Sequence, residues 1–187
     1  MKDFLLYIRD MLQLMLSPKK GWEDVSADGF DPAVLFRTGF LPLVLLAAAA
    51  GMLQWAYHTD VSWWIWVERS LVDLLKLIAT YYIASFVFTL YLPTCVDGGY
   101  NDTKCMTFIT YGTGMIALIT LIINCMPMTF SVLYMMPVYA LYVLWRGLHY
   151  MSVSFNGVGT FIMLIIFSLI LPAYLIQALF NLLLPAV

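Results

Sequence analysis

Charged residues are scarce in this 187-residue sequence: Lys, Arg, Asp and Glu together make up 11%, against about 25% in an average soluble domain. The formal net charge is only −2, and no stretch concentrates one sign, which excludes a basic surface for nucleic acid. Hydrophobic residues make up 63% of the sequence, and the mean hydropathy is +0.90. These values predict a polytopic membrane protein with the lipid bilayer as its first partner.

Cysteine and histidine are also few, with three and two residues respectively. Three cysteines spread through apolar sequence, Cys95, Cys105 and Cys125, are not typical of a secreted disulfide framework. The sequence has no glycine-rich phosphate loop and no GxSxG, HExxH or CxxC pattern. We therefore predict that the protein is not an enzyme and needs no cofactor.

What the sequence has instead is long uncharged runs. Residues 77–96 and 106–125 form two runs of 20 residues each, enough to cross a hydrocarbon core of about 30 Å as helices. The polar residues 97–104 between them are too few for a domain, so the two runs predict a transmembrane hairpin. Its turn supplies the residues of a candidate docking loop, which are Asp97, Gly98, Gly99, Tyr100, Asp102 and Lys104.

The same arithmetic predicts an all-α bundle of five spans over residues 34–187. The spans are expected at about 38–58, 71–96, 105–125, 128–146 and 160–184. The 41 uncharged residues from 105 to 145 are twice a bilayer's worth, so the chain must turn within them, near residues 124–128. Pro42, Pro137 and Pro172 fall inside spans, where proline removes a backbone donor and bends a helix.

Residues 1–33 are predicted to form a separate cytoplasmic segment. Its apolar residues recur at near-helical spacing from Phe4 to Met15, with Arg9, Asp10 and Gln13 between them. This pattern is typical of an amphipathic helix that lies on the membrane surface.

The distribution of Lys and Arg predicts the orientation. With five spans, the N-terminal segment and the loops 97–104 and 146–159 share one side and hold most of the basic residues. The positive-inside rule then places the N-terminus in the cytoplasm and the C-terminus outside.

Two further patterns fall on the predicted cytoplasmic side. A zinc site of two cysteines, a histidine and an aspartate could be built there, and the candidates for it are Cys95, Asp97, Asp102, Cys105 and His149. Their spacing matches no zinc module, so we interpret them as ordinary loop residues and predict no metal. Asn101-Asp102-Thr103 fits a glycosylation acceptor pattern, and the cytoplasmic assignment makes it a chance match.

Asp73 and Lys76 are the ionisable residues predicted within a span. They lie three apart, so they share a helix face and can pair. Such a pair marks an ion or proton path when it is buried in lipid. Lys76, however, is only ~8 Å along the helix axis from the expected span start at Leu71 and can extend to the headgroups, which favours a structural interpretation.

Short motifs resemble those of bacterial Yip1-domain membrane proteins. Pro18, Trp22 and Val25 fit the pattern P-x-x-x-W-x-x-I/V that leads into the first span of that family. Gly98-Gly99-Tyr100, followed by Tyr111-Gly112-Thr113-Gly114, resembles its glycine-rich turn and helix start.

The resemblance covers about residues 10 to 185. It implies an integral protein of the bacterial inner membrane that works through helix and protein contacts, with no catalytic residues. Residues 92–97 depart from the acidic motif of eukaryotic members, so the resemblance does not extend to small-GTPase binding.

Two classes of function remain open. The first class is a non-enzymatic scaffold or organiser, whose contacts are with other membrane proteins or with further copies of itself. The second class is a small transporter, channel or lipid-handling protein. In the second class a polar path would pass four residues, which are Asp73, Lys76, Asn124 and Gln177. We favour the scaffold, because the ionisable residues within spans are only two and lie near an expected interface.

Overall fold

A computed structural model describes residues 2–57, 62–96, 99–126 and 135–183 of the chain. Within these residues the fold is all-α, as predicted, and has no β-strand. A single antiparallel bridge joins Val96 to Val153.

The helices follow one another in chain order with short connections. The first two are α1, Lys2–Leu16, and α2, Pro18–Asp28. Four further helices are long and apolar enough to cross a membrane: α3, Pro32–Tyr57; α4, Trp63–Thr94; α5, Asp102–Cys125; and α7, Phe155–Leu183.

Helix α6, Met136–Arg146, lies where the fourth of the five spans is predicted. Its 11 residues extend only ~16 Å at helical rise. The predicted turn at 124–128 and the start of that span fall mostly on residues 127–134, outside the described part. The described residues therefore contain four helices that could cross a membrane, and the count of five spans remains a prediction.

Helix α4 begins earlier than predicted. Its first residue is Trp63 and its N-cap is Ser62, whereas the sequence placed the span at 71–96. The prediction started the span after Glu68 and Arg69, but charged residues such as these have good helix propensity, and the helix continues through them. Lys76 consequently lies 13 residues, or ~20 Å, from the helix start.

Helix α5 is the central element of the bundle. It is the most buried of the four long helices, because 72% of its most apolar 18-residue stretch is buried inside the protein. Its glycines allow close contact: a Cβ on Gly112 would meet Leu144 and Leu169 at 3.1 and 3.2 Å. The hydroxyls of Thr110, Thr113 and Thr120 donate to carbonyls four residues earlier, so these buried polar groups are satisfied within the helix.

The N-terminal helices share the core of the bundle. Tyr7, Met11 and Leu14 of α1 are fully buried, and the Tyr7 hydroxyl donates to the carbonyl oxygen of Thr110 at 3.0 Å. Leu5 and Leu12, on a neighbouring stripe of α1, are 63% and 46% exposed. Helix α1 is thus a packed part of the bundle, and its apolar residues occupy more than one face. Its association with the membrane surface remains a prediction.

The prolines within α3 and α7 are accommodated by the same local change in the helix backbone. A π-helical turn precedes each one, at Phe36–Phe40 before Pro42 and at Ile166–Ile170 before Pro172. The missing N–H of proline removes an α-helical bond, and the wider turn keeps the helix continuous. Pro137 instead lies in the first turn of α6, where that N–H has no intrahelical partner to lose.

A hydroxyl accompanies both of these prolines four residues upstream. Thr38 donates to the Val34 carbonyl at 2.8 Å, and Ser168 donates to the Leu164 carbonyl at 2.5 Å. Such bonds bend helices slightly, so they act in the same direction as the prolines.

Candidate functional site

A buried ion pair on α4 is the centre of the site. The Lys76 ammonium lies 2.5 Å from Oδ1 of Asp73, as the i, i+3 spacing predicted. Asp73 and Lys76 are only 9% and 8% exposed. The Lys76 amine is therefore bonded within the bundle, to Asp73 and to Gln177. The depth of the pair relative to the headgroups stays a prediction.

Asn124 joins this pair to two other helices. Its Nδ2 atom donates to Oδ2 of Asp73 at 2.9 Å and to the carbonyl oxygen of Ala47 at 2.9 Å. Gly51 lets α3 approach α4 closely, because a Cβ there would lie only 2.7 Å from Ser70 Oγ, whereas its 3.5 Å distance to Asn124 Nδ2 would be an ordinary contact. The Ala47–Gly51 pair thus lets α3 approach α4 and α5 closely, as small residues do between membrane helices.

Gln177 brings α7 to the same point. Lys76 donates to its Oε1 atom at 2.8 Å, and its Nε2 atom donates to Oδ1 of Asn181 at 3.2 Å. We call Asp73, Lys76, Asn124 and Gln177 the polar clamp. The structure therefore brings together all four residues of the predicted polar path, and their formal charges sum to zero.

Sequence reasoning missed two residues that extend the clamp. Gln54 of α3 donates to the carbonyls of Asn124 and Met126 at 2.9 Å each, which satisfies carbonyls at the end of α5 that have no helical partner. Asn181 follows Gln177 by four residues on one face of α7. Both are amides in otherwise apolar sequence, and that is the signal that could have identified them.

A cavity of about 120 Å³ adjoins the clamp. Lys76 and Gln177 line it, together with Thr120 of α5 and Tyr174 of α7. The remaining lining residues are apolar and come from α5, α6 and α7. The clamp therefore borders a largely apolar space rather than a water-lined passage.

The described part of the candidate docking loop is ordered by local bonds. Asn101 caps α5 by accepting from the Lys104 amide, and the Tyr100 hydroxyl donates to Asp102 at 2.9 Å. The Lys104 ammonium lies 5.8 Å from the centre of the Tyr150 ring, within cation–π range. Burial raises the pKa of Tyr150 to about 12. Gly99 adopts a φ of +100°, while Asp97 and Gly98 lie outside the described residues.

The cysteines and His149 do not form a metal site with their described neighbours. Cys95 and Cys105 are buried free thiols. Among the described residues, no three His, Cys, Asp or Glu side chains are close enough to share an ion. Asp97, one of the five residues considered for zinc, lies outside that part of the chain.

The residues that resemble the Yip1-domain motif anchor α2 to the bundle. Pro18 starts α2, and Trp22 and Val25 are buried. The Trp22 indole donates to the Val143 carbonyl at 3.0 Å and stacks on Phe108 with ring centres 5.1 Å apart. The motif thus has a packing role here that fixes the segment leading into α3.

Comparison with family models, curated proteins and solved structures found no match to this chain. The Yip1-domain resemblance therefore remains a prediction from the motifs alone.

Proposed function

We propose that this chain is a non-enzymatic, Yip1-like membrane protein that organises partners through protein contacts. One observation supports the proposal: the polar side chains of the clamp are hydrogen-bonded to one another across helices. Both carboxylate oxygens of Asp73 are bonded, to Lys76 and to Asn124, and Lys76 also holds Gln177. A carrier needs an interior that can exchange partners, whereas these bonds tie α3, α4, α5 and α7 into one unit.

The energetics support a fixed bundle. A hydrogen bond between membrane helices contributes about 0.6 kcal/mol on average, and removing one member of a buried ion pair costs about 3–5 kcal/mol. The clamp places several such bonds at one level of the bundle, around a charge pair that is largely buried. Opening a passage there would break them together.

The outward surfaces are the proposed docking sites. Lys19, Lys20 and Glu23 of α2 are exposed, and so are Asp102 and Thr103 at the start of α5. With five spans and the N-terminus in the cytoplasm, which we also propose, these residues share the cytoplasmic face of a bacterial inner membrane. The exposed stripe of α1 that contains Leu5 and Leu12 would rest against the lipid surface.

Site-specific photocrosslinking in native membranes tests the organiser proposal. A photoreactive residue at Glu23 or Thr103 should give discrete protein adducts, either with a partner or with a second copy of the chain. The control carries the photoreactive residue in place of Phe86, which is 67% exposed on α4. It should capture lipid. Absence of protein adducts at both docking positions would contradict the proposal.

A small transporter is the second candidate, because Lys76 and Gln177 line a cavity. It predicts solute flux in vesicles that contain the purified protein alone. The organiser proposal predicts none.

A further inference from the structure

The cavity beside the polar clamp, which we call the cleft, is lined mainly by α5 and α7. Pro137 and Ala140 of α6 and Lys76 of α4 complete its lining. On α5 its lining residues are Ile116, Ile119, Thr120 and Ile123. On α7 they are Ile170, Ala173, Tyr174 and Gln177. Each set has the i, i+3, i+4, i+7 spacing of one helix face, so the cleft extends ~10 Å along the two helices.

The cleft is partly open to the surroundings of the bundle. Ile123 and Tyr174 on its lining are 37% and 52% exposed, while Ile119 and Ala173 deeper in it are buried. Because α5 and α7 are both long enough to cross a bilayer, what meets this opening in a membrane is hydrocarbon. The cavity of about 120 Å³ is smaller than a closed site for a whole small molecule, about 300–1,000 Å³. It therefore suits one segment of a longer molecule.

At the polar end of the cleft, Lys76 provides an N–H donor whose positive charge is balanced by Asp73. An ammonium has three N–H donors, and two of those of Lys76 point to Asp73 and Gln177. The third is available to an acceptor in the cleft that Lys76 lines. Since Asp73 already balances the charge of Lys76, a neutral oxygen such as an ester carbonyl is a suitable acceptor, and an anion gains little additional attraction.

We propose that this cleft binds one acyl chain of a membrane glycerolipid, whose ester carbonyl accepts a hydrogen bond from Lys76. The aliphatic faces of α5 and α7 hold the chain, and the clamp marks the position of its polar end. This site does not depend on the organising role, because binding is a property of the isolated protein in lipid.

The experiment uses the full chain in phosphatidylcholine vesicles that contain a phosphatidylcholine with a photoreactive acyl chain. Crosslinked peptides should come from residues 116–123 and 170–177. Ala173→Leu places a larger side chain in the cleft and should lower this labelling at least ~5-fold, which corresponds to a loss of about 1 kcal/mol in binding free energy. Ala178→Leu, an exposed position on the same helix, is the matched control and should leave the labelling unchanged.

Two further arms keep the test decisive. Ala140→Leu fills the same cleft from α6 and replaces Ala173→Leu if that variant does not fold. Photoreactive phosphatidylglycerol should label wild-type protein as strongly as phosphatidylcholine does, because the clamp is neutral. Equal labelling of wild type and both filled variants would overturn the proposal. Labelling spread evenly over lipid-exposed positions such as Phe86, or labelling by the anionic lipid alone, would overturn it as well.

Discussion

Asn124 donates one hydrogen bond to the carboxylate of Asp73 and another to the carbonyl oxygen of Ala47, each at 2.9 Å. A single amide at the end of α5 therefore joins α4 and α3. Gly51 is buried one turn after Ala47 and leaves space for the Ser70 hydroxyl of α4 beside this amide. Close packing of small residues and polar bonding thus depend on each other at this point of the bundle.

The first prediction concerns this amide. Asn124→Ala should lower the free energy of unfolding by about 1–3 kcal/mol, because it leaves an oxygen of Asp73 and a carbonyl buried without their donor. Unfolding in detergent, followed by circular dichroism, measures the change. Asn181→Ala is the control, since Asn181 is exposed at the outer end of the network, and its effect should stay within about 0.5 kcal/mol. Equal losses in the two variants would show that the amide of Asn124 has no special role.

The second prediction compares single and double changes of the ion pair. Asp73→Asn alone should destabilise the protein by about 3–5 kcal/mol, because it leaves the Lys76 ammonium buried without its counter-charge. The double variant Asp73→Asn with Lys76→Gln removes both charges and should be clearly more stable than the single one. The measurement is again detergent unfolding. A double variant that is less stable than Asp73→Asn would mean that the pair is not coupled.

The same double variant distinguishes the two candidate functions. In the organiser proposal it should retain the protein adducts formed from Thr103, because Thr103 and the clamp residue Asn124 lie at opposite ends of α5. In the transporter alternative it should abolish flux in vesicles while the protein remains folded. Loss of adducts without loss of stability would count against the organiser.

Spacing predicted part of the site and could not predict the rest. The i, i+3 relation of Asp73 and Lys76 lies within one helix, so the sequence carries their pairing directly. Asn124 and Gln177 stood out only as amides in apolar spans. Their contacts join residues 51 and 101 positions apart, and local periodicity holds no information on such distant partners. The predicted start of α4 was too late because the prediction began the span after Glu68 and Arg69, whereas the helix continues through them.

The N-terminal segment shows a second limit of periodicity. Tyr7, Met11 and Leu14 form one helical stripe, and Leu5, Leu12 and Leu16 form a neighbouring one. The first packs in the bundle and the second is exposed. Apolar spacing identifies a face that avoids water, but it does not tell whether protein or lipid covers that face.

The third prediction concerns how α1 is held. A Cβ on Gly114 would lie 2.0 Å from the Tyr7 hydroxyl oxygen, so Gly114→Ala should displace Tyr7 and cost about 1–3 kcal/mol. Trypsin should then cleave after Arg9 faster than in wild type. Gly159→Ala is the control, because a Cβ there meets nothing within 4 Å, and alanine in a helix is favoured over glycine by about 0.5–1 kcal/mol. Unchanged cleavage in Gly114→Ala would show that α1 is not fixed by this contact.

The fourth prediction is the number of spans. An odd number places the two termini on opposite sides of the membrane and an even number places them on one side, so a pair of reporter fusions determines the parity. A reporter active only outside the cytoplasm should be silent at the N-terminus and active after Val187 if α6 belongs to a fifth span. The same reporter inserted at Tyr100 should be silent, because the positive-inside rule places Lys104 and Arg146 in the cytoplasm. Silence at both termini would reduce the bundle to the four long helices, and activity at Tyr100 would invert its orientation.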